Sequence, residues 1–389
     1  MDAEVVVVGG GVAGSATTLH LARRGHEVLV VDRATMPREK VCGEGLMPHG
    51  VSALRRLGVE PSAHGVPFRG IRYAAGGVVA EGRFPGDTPG YGLRRYRLDA
   101  ALQELVAAHP RVELRSGVTV RKVVGEAGRM EVVTRRQTLR CRAVVGADGL
   151  HSKVRRQLGL HRPRPGRPRY GLRGHVRLAK GVPCPTTVDV HVVDGAELYV
   201  TPTAAHEVNI AVLAEGDTMR ELAGDLGGGW RRLATASPAV AALLDGSTEQ
   251  SRPAAIGPLR QSPSDTVADS ALLVGDAAGF VDAITGEGMS LTLLDAEIAG
   301  DVLSSCLRRG RLRRGDLRAY ARERARTHWQ LTALTEAILW GIRVRPLARH
   351  VVRNLARHPE VFGDLLAVNT GRAPLWSLGI GGLRRALVR

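Results

Sequence analysis

The sequence predicts an α/β protein: a parallel sheet crossed by helices, interrupted by antiparallel insertions and followed by C-terminal helices. Residues 4–8, 143–146 and 271–274 are short apolar runs, rich in valine, of the kind that fills a sheet covered on both faces. Each runs into a turn that pairs glycine with an acid or opens on a Gly-rich loop. Between the second and third runs the pattern changes to strict alternation (Val188, Val190, Val192; Leu198, Val200; Val208, Ile210, Val212), which is the signature of antiparallel strands.

The first run enters Gly9-Gly10-Gly11-Val12-Ala13-Gly14, a G-x-G-x-x-G at the place where strand turns into helix. Ala16, Leu19, Leu21 and Ala22 then follow at helical spacing, Gly25 ends the helix, and residues 26–31 form a second strand closing on Asp32 and Arg33. Gly9 allows the tight turn, Gly11 lets backbone N–H groups approach a pyrophosphate, and Gly14 lets helix and strand pack closely. Asp32 stands where a ribose hydroxyl needs an acceptor. A Gly-rich turn alone is common; the strand before, the helix after and the acid at this distance decide for a dinucleotide site.

With 389 residues the chain can bury a large core and divide into two domains with appendages. No uncharged apolar stretch of about 18 residues exists, so no transmembrane helix is expected. The first strand begins at residue 4, which leaves no room for a signal peptide in this sequence. Cys42, Cys141, Cys184 and Cys306 are scattered without C-x-x-C pairing, so neither a disulfide framework nor a metal site is expected. These features read as a cytoplasmic protein. The net charge is +17, and 51 of the 55 basic residues are arginine. A solvated basic surface explains this; attraction to an anionic cofactor, membrane surface or acidic carrier is the sharper reading. Aromatics are only 4%, so no stacking platform for nucleic acid is expected.

Taken in order, Val41-Cys42-Gly43-Glu44-Gly45 places a cysteine among glycines, as backbone held close to a flat ligand would be, or as an inert buried thiol in a Gly-rich loop. Val51, Leu54 and Leu57 mark a helix that Gly58 ends. Residues 68–91 read as an antiparallel insertion. Arg94-Arg95-Tyr96-Arg97 opens a helix where cations are electrostatically out of place unless an anion sits there. Residues 112–124 and 130–134 read as strands, residues 162–169 as a linker, and residues 223–244 as a helix interrupted by Gly227-Gly228-Gly229. A long helix starts at Gly286-Glu287-Gly288 and runs through Met289, Leu291 and Leu294.

Gly9/Gly11/Gly14 with Asp32, Arg95-x-x-Leu98-Asp99, Gly146-Ala147-Asp148-Gly149-x-x-Ser152-x-Val154-Arg155 and Gly275-Asp276-Ala277-Ala278 occur in an order and spacing that resemble the flavoprotein superfamily of para-hydroxybenzoate-hydroxylase-like monooxygenases and geranylgeranyl reductases. The resemblance spans about residues 1–300. It implies a Rossmann-like FAD-binding domain with an inserted antiparallel-sheet substrate domain and C-terminal helices. The expected division is 1–67, 94–165 and 258–315 for the FAD-binding domain, 68–93 and 166–257 for the substrate domain, and 316–389 for the C-terminal extension. It further implies FAD contacts from Gly9, Gly11, Val12, Ala13, Gly14, Asp32, Arg33, Cys42, Gly43, Arg95, Val120, Asp148, Gly149, Gly275, Asp276, Gly286, Gly288 and Met289. Arg95 would meet the pyrophosphate or ribityl region, Asp276 would accept from the ribityl chain, and Asp148-Gly149 would brace the second turn. The N-terminus of the helix at Gly286 would face the pyrimidine edge of the ring, where its N–H groups and dipole favour negative charge.

The chemistry falls between the two branches. Pro37-x-x-Lys40-x-Cys42-Gly43-x-Gly45, Gly279 and Gly286-Glu287-Gly288-Met289 are similar to the reductases, whereas Leu294-Asp295-Ala296 and Asp148-Gly149 are similar to the hydroxylases. Cys42, Tyr199 and His191 are the catalytic candidates, with His175 a further polar candidate; for each histidine a structural role competes. The first expectation is an NADPH- or NADH-dependent monooxygenase acting on an apolar or phenolic small molecule of polyketide or isoprenoid type. The alternative is a geranylgeranyl-reductase-like enzyme that saturates C=C bonds of a polyprenyl substrate. Leu331, Leu334, Ile338, Leu339 and Ile342 make one helical face near Trp340, followed by Arg343, Arg345, Arg349, Arg353 and Arg357. That tail either packs on the substrate domain or makes a peripheral membrane contact.

Overall fold

The computed structural model describes residues 1–379 apart from 36, 164–166, 223 and 343–344. Val5–Val8 is buried on both sides, as four consecutive valines require, and lies inside a six-stranded sheet. The strand order is Val267–Ala268, Ala271–Leu273, Ala143–Gly146, Val5–Val8, Val28–Val31, Val112–Arg115, parallel except at the Val267–Ala268 edge. Val5, Val7, Val28, Val30 and Leu272 share a core with the helices α1 (Val12–Ala22), α2 (Pro48–Arg56) and α3 (Arg95–Ala108). Val6, Val8, Leu29 and Val31 point the other way, onto a three-stranded antiparallel layer and the short helix α4 (Lys153–Gln157). The stretch expected as one strand over 112–124 is two. Gly117 takes φ +72°, so Val112–Arg115 ends in the parallel sheet and Val120–Glu126 starts the other layer.

The alternating stretches form the second, larger sheet: Thr248–Glu249, Arg169–Arg177, Glu207–Glu215, Ala196–Ala204, Val188–Val193, Gly70–Ala75, Val78–Arg83. All neighbours are antiparallel except Val188–Val193 with Gly70–Ala75, so Gly70–Arg83 of the expected 68–93 insertion joins this sheet side by side with the later strands, whereas Gly90–Leu93 pairs with Gly45–Leu46 and Gly65–Phe68 in a sheet of three. Its outer face carries α5 (Gly216–Glu221), α6 (Leu226–Thr235) and α7 (Pro238–Leu244); Trp230 is fully buried there and donates from Nε1 to Ile210 O at 3.0 Å. The glycines at 227–229 do not interrupt the helix as expected. They lie in the first turn of α6, where Asp225 accepts from Gly228 N–H at 2.8 Å, and the break comes at Ser237, because Pro238 opens a new helix. Part of the expected 162–169 linker lies outside the described residues; His161–Arg162 pairs with Ser262–Pro263.

Four helices follow: α8 (Gly288–Arg308), α9 (Arg314–Ile342), α10 (Arg345–Arg357) and α11 (Pro359–Asn369). The first half of α9 belongs to the parallel-sheet core: Leu317 and Tyr320 are fully buried in it, and Tyr320 OH donates to Leu273 O at 2.7 Å. A boundary at 316 therefore cuts through structure continuous with the first domain. Helices α10 and α11 pack on the Val78–Arg83 strand, where the Phe362 ring fills the space a Cβ on Gly82 would need. Leu331 and Leu339 are buried and Leu334 half-buried, whereas Ile338, Trp340, Ile342, Arg343 and Arg345 lie outside the residues whose side chains are described. No helix among the described residues is long and apolar enough to cross a membrane.

Helices α2 and α8 cross at a point of backbone contact: a Cβ on Gly50 would stand 2.5 Å from Ser290 Oγ and 2.9 Å from Ser290 Cα. Gly50→Ala must push the helices apart, and overpacking of this kind costs about 1–3 kcal/mol. The expected result is a lowered Tm in thermal unfolding, and an unchanged Tm would contradict this contact.

Candidate active site

The cradle at the end of Val5–Val8 is built by removing side chains. Gly9 takes φ +109°, and a Cβ there would meet Ala147 O at 2.3 Å; one on Gly14 would meet Gly9 O at 1.7 Å. The first turn of α1 is capped by no side chain, so its N–H groups are open to an anion. Asp32 accepts from Gly10 N–H at 2.7 Å and from Ala34 N–H at 2.8 Å, which fixes the carboxylate beside the turn. Three cations converge on this place. Lys40 Nζ fills the notch over Gly11 and lies 3.8 Å from Asp99, Arg95 binds Asp99 through two nitrogens, and Arg38 Nε is buried without a partner. Burial, then the Arg95 charge, push the Lys40 ammonium down to about 8, with Asp99 opposing. An uncapped helix N-terminus, a glycine notch with the Lys40 ammonium over it and excess positive charge fit the pyrophosphate of a dinucleotide.

The second and third strand ends close the crevice. Asp148 accepts from Ser152 Oγ and, at 2.7 Å, from Lys153 N–H, so it braces its own turn at the start of α4; Gly149 there takes φ +82°. Gly275, at φ +61°, brings its turn against Ala13 and Thr292. Arg155 is fully buried and donates to Ala277 O, Leu150 O and Gln261 Oε1, holding the Asp276 turn in place. Burial raises the Asp276 carboxyl above its ordinary range, against the pull of Arg95, Lys40, Arg155 and Arg324. A cavity of about 400 Å³ lies between this loop and α9, lined by Asp276, Glu287, Asp295, Arg324, His328 and Thr335 among others.

Helix α8 begins at Gly288 rather than Gly286, which lies in the preceding turn at φ +69° against Met47. Glu287 stands at the N-cap position without a side-chain cap bond, almost fully buried; His49 Nε2 stands 3.1 Å from its carboxylate, and Asn369 of α11 donates to it at 2.7 Å. Met47 N–H donates to Ser290 Oγ, so the 42–47 loop and the start of α8 form one wall. Cys42 is half-buried on this loop. Burial pushes its thiol above the ordinary range; Arg95 pulls against that and Glu44 adds to it.

The other catalytic candidates separate. Tyr199 is buried on the inner face of the large sheet, and its hydroxyl donates to Ile284 O at 3.1 Å, which commits it to holding the loop before α8. His191 is a correction: it sits one residue from Val190 and therefore faces the outer side, where its Nδ1 lies 3.0 Å from Ser237 Oγ beneath α7. Val12 and Val120 are core side chains, so their part in a cofactor site is through backbone alone. Met289 is likewise packed in the core, and Gly43 and Arg33 are exposed. Sequence reasoning missed Glu44, Glu287 and His49 as partners, since a carboxylate between glycines looks like a solvated turn until a neighbouring strand covers it.

A family model described as an FAD binding domain matches residues 2–335. The chain belongs to this family of FAD-dependent flavoproteins. It is 32% identical over 325 residues to a menaquinone reductase of Mycobacterium tuberculosis, covering 78% of this chain and 77% of that protein. It is 29% identical over 331 residues to digeranylgeranylglycerophospholipid reductase 2 of Methanopyrus kandleri, covering 79% and 78%. Among solved structures, PqsL, a probable FAD-dependent monooxygenase from Pseudomonas aeruginosa, shares its fold with a TM-score of 0.75, at 24% identity over 89% of this chain and 98% of that one. FAD fits the bare turn, the cation cluster and the uncapped helix end described above.

Lys40 is expected to tie FAD affinity to pH. Charged Lys40 favours the pyrophosphate, and above about 8 the free protein has lost that proton, so binding must recover it. FAD affinity is expected to fall as pH rises beyond 8, by up to about tenfold per unit, and Lys40→Met should flatten that slope. Titration of apoprotein by flavin fluorescence checks this; identical slopes in the two proteins would contradict it.

Proposed function

We propose that this flavoprotein reduces a carbon–carbon double bond of an apolar, isoprenoid-type substrate, with NADPH or NADH as electron source. The observation that carries the reading is the Cys42 thiol, kept in its protonated form by burial on the wall shared with α8. Two relatives support it by name, one a reductase of menaquinone and one of a digeranylgeranyl lipid. Hydroxylation ranks second. The Asp148–Gly149 turn favours it, but Asp295 of the hydroxylase-like Leu294-Asp295-Ala296 is bound by Arg324 at 2.9 Å and His328 at 2.7 Å, a structural ion cluster.

When bound and reduced, FAD supplies a hydride. Met47, Phe68, Val188, Val190, Tyr199 and Ile284 belong to one apolar cluster on the inner side of the sheet, which suits a hydrocarbon substrate and excludes water. Cys42 Sγ gives its proton to the carbon that does not receive hydride, which completes saturation. The thiolate left behind is stabilised by Arg95 and regains a proton from water. Removing this proton donor should lower kcat by about 100-fold or more. Cys42→Ser is expected to do so with FAD binding intact, and a wild-type kcat would sink the assignment.

A lipid-like substrate also accounts for one surface. Arg318, Arg322, Arg326 and Trp329 recur along one face of α9 and are exposed, and Trp376 is 73% exposed. Arginine and tryptophan side by side suit the interface of an anionic bilayer. The protein should co-sediment with vesicles containing phosphatidylglycerol, less so at high salt, and not with purely zwitterionic vesicles; equal binding to both would refute the basic face.

A further inference from the structure

Glu44 occupies a position that should be glycine. It takes φ +61°, a left-handed conformation that costs a residue with a side chain free energy, although glycines flank it on both sides. It is also fully buried, and a buried carboxylate is tolerated only when hydrogen-bonded. Both its oxygens are taken. Oε1 accepts from the Arg95 backbone N–H at 2.8 Å, at the start of α3. Oε2 lies 2.6 Å from His175 Nε2 and accepts from Asn209 Nδ2 at 3.0 Å.

These last two partners come from the other domain. His175 and Asn209 are register partners on adjacent strands of the large sheet, and both are fully buried. Asn209 Nδ2 also donates to Cys42 O at 2.8 Å. Arg173 Nη1, which can only donate, lies 2.9 Å from His175 Nδ1, so that nitrogen is an acceptor and Nε2 carries the hydrogen toward Glu44. Arg173 continues to Glu39 Oε2 at 2.5 Å and to Lys40 O, and Arg94 spans Glu39 and Glu207. The loop from 39 to 44 is thus held from the sheet at four points, with Cys42 in the middle.

We propose that Glu44 is a positioning residue for Cys42: clamped through its carboxylate by His175, Asn209 and the α3 N-terminus, it directs its backbone N–H to Cys42 Sγ at 3.4 Å and fixes the thiol against the flavin wall. The strained backbone is retained because the side chain is required there. The charged and titratable groups around the thiol and this carboxylate are Arg95, Arg94, Lys40, Arg173 and His175 on one side, and Glu44, Glu39, Asp99 and Glu207 on the other. Arg95 and Glu44 act on the thiol in opposite senses, Arg95 favouring loss of its proton and Glu44 disfavouring it. This inference rests on Cys42 as the proton donor for its use, but not for its test.

The test is the pH dependence of Cys42 alkylation by iodoacetamide in the FAD-loaded protein, read at that peptide by mass spectrometry. Glu44→Gln keeps the shape and removes the charge, so the alkylation midpoint should move to lower pH and the rate at neutral pH should rise about tenfold. Asn209→Ala keeps the charge and frees the Cys42 carbonyl, so the rate should rise at all pH values with the midpoint unmoved. An unchanged midpoint in Glu44→Gln overturns the charge role, and an unchanged rate in Asn209→Ala overturns the clamp. If Glu44→Gln does not fold, the comparison of Glu44→Asp with wild type reads the same midpoint, expected unmoved, alongside a faster rate. Failure of the catalytic reading would look different: an active Cys42→Ser enzyme with these alkylation shifts intact.

Discussion

Close approach of backbone to backbone at the ends of three parallel strands is the constraint on which this molecule depends. The turn after Val5–Val8 touches the turn after Ala143–Gly146 through Gly9 and Ala147, and the turn at Gly275 touches α1 at Ala13. A Cβ on Gly9 or on Gly275 would clash in these contacts. Because the turns are packed this tightly, the N-terminus of α1 stands bare, and Asp32, Asp148 and Asp276 are held at fixed places around it. A crevice at the carboxyl ends of parallel strands is where such sheets bind dinucleotides. The rest of the fold adds what the crevice lacks: cations on the 38–40 loop and α3, and an apolar roof from the large sheet.

The two sheets meet through ion pairs as well as through the apolar cluster that joins Met47 and Ile284 to Val188, Val190 and Tyr199. Arg94, Arg173 and His175 face Glu39, Glu44 and Glu207 across the seam, and the residues between them are those of the cysteine loop. Buried pairs of this kind contribute little net stability but specify a unique arrangement, which is what a reacting group needs. On the far side, Asn369 brings the C-terminal α11 to Glu287 at the head of α8, so the tail is tied to the same wall.

The glycine turns, the acids that follow them and the alternating strands were legible in the sequence because each depends on spacing along the chain. Gly9, Gly14 and Asp32 act within thirty residues of one another, and their pattern survives without tertiary context. Glu44 with His175, or Glu287 with His49 and Asn369, could not be read in that way. Their partners lie far apart in sequence, and a polar residue between glycines carries no mark of burial. His191 misled for the same reason: its strand was identified, but which face of the strand held the site depends on where α7 packs. The helix expected over 223–244 breaks before Pro238, a local rule that outweighed the more conspicuous glycines.

The claim at the centre of this account is that the flavin wall delivers hydride and proton to a hydrocarbon double bond. Its most direct measurement mixes the reduced FAD-loaded protein with a polyprenyl quinone under strict exclusion of oxygen and determines the product mass. A gain of two hydrogens at the side chain without oxygen is the result this structure predicts. A product formed only when oxygen is admitted, and heavier by one oxygen atom, would contradict it and assign the protein to the hydroxylases.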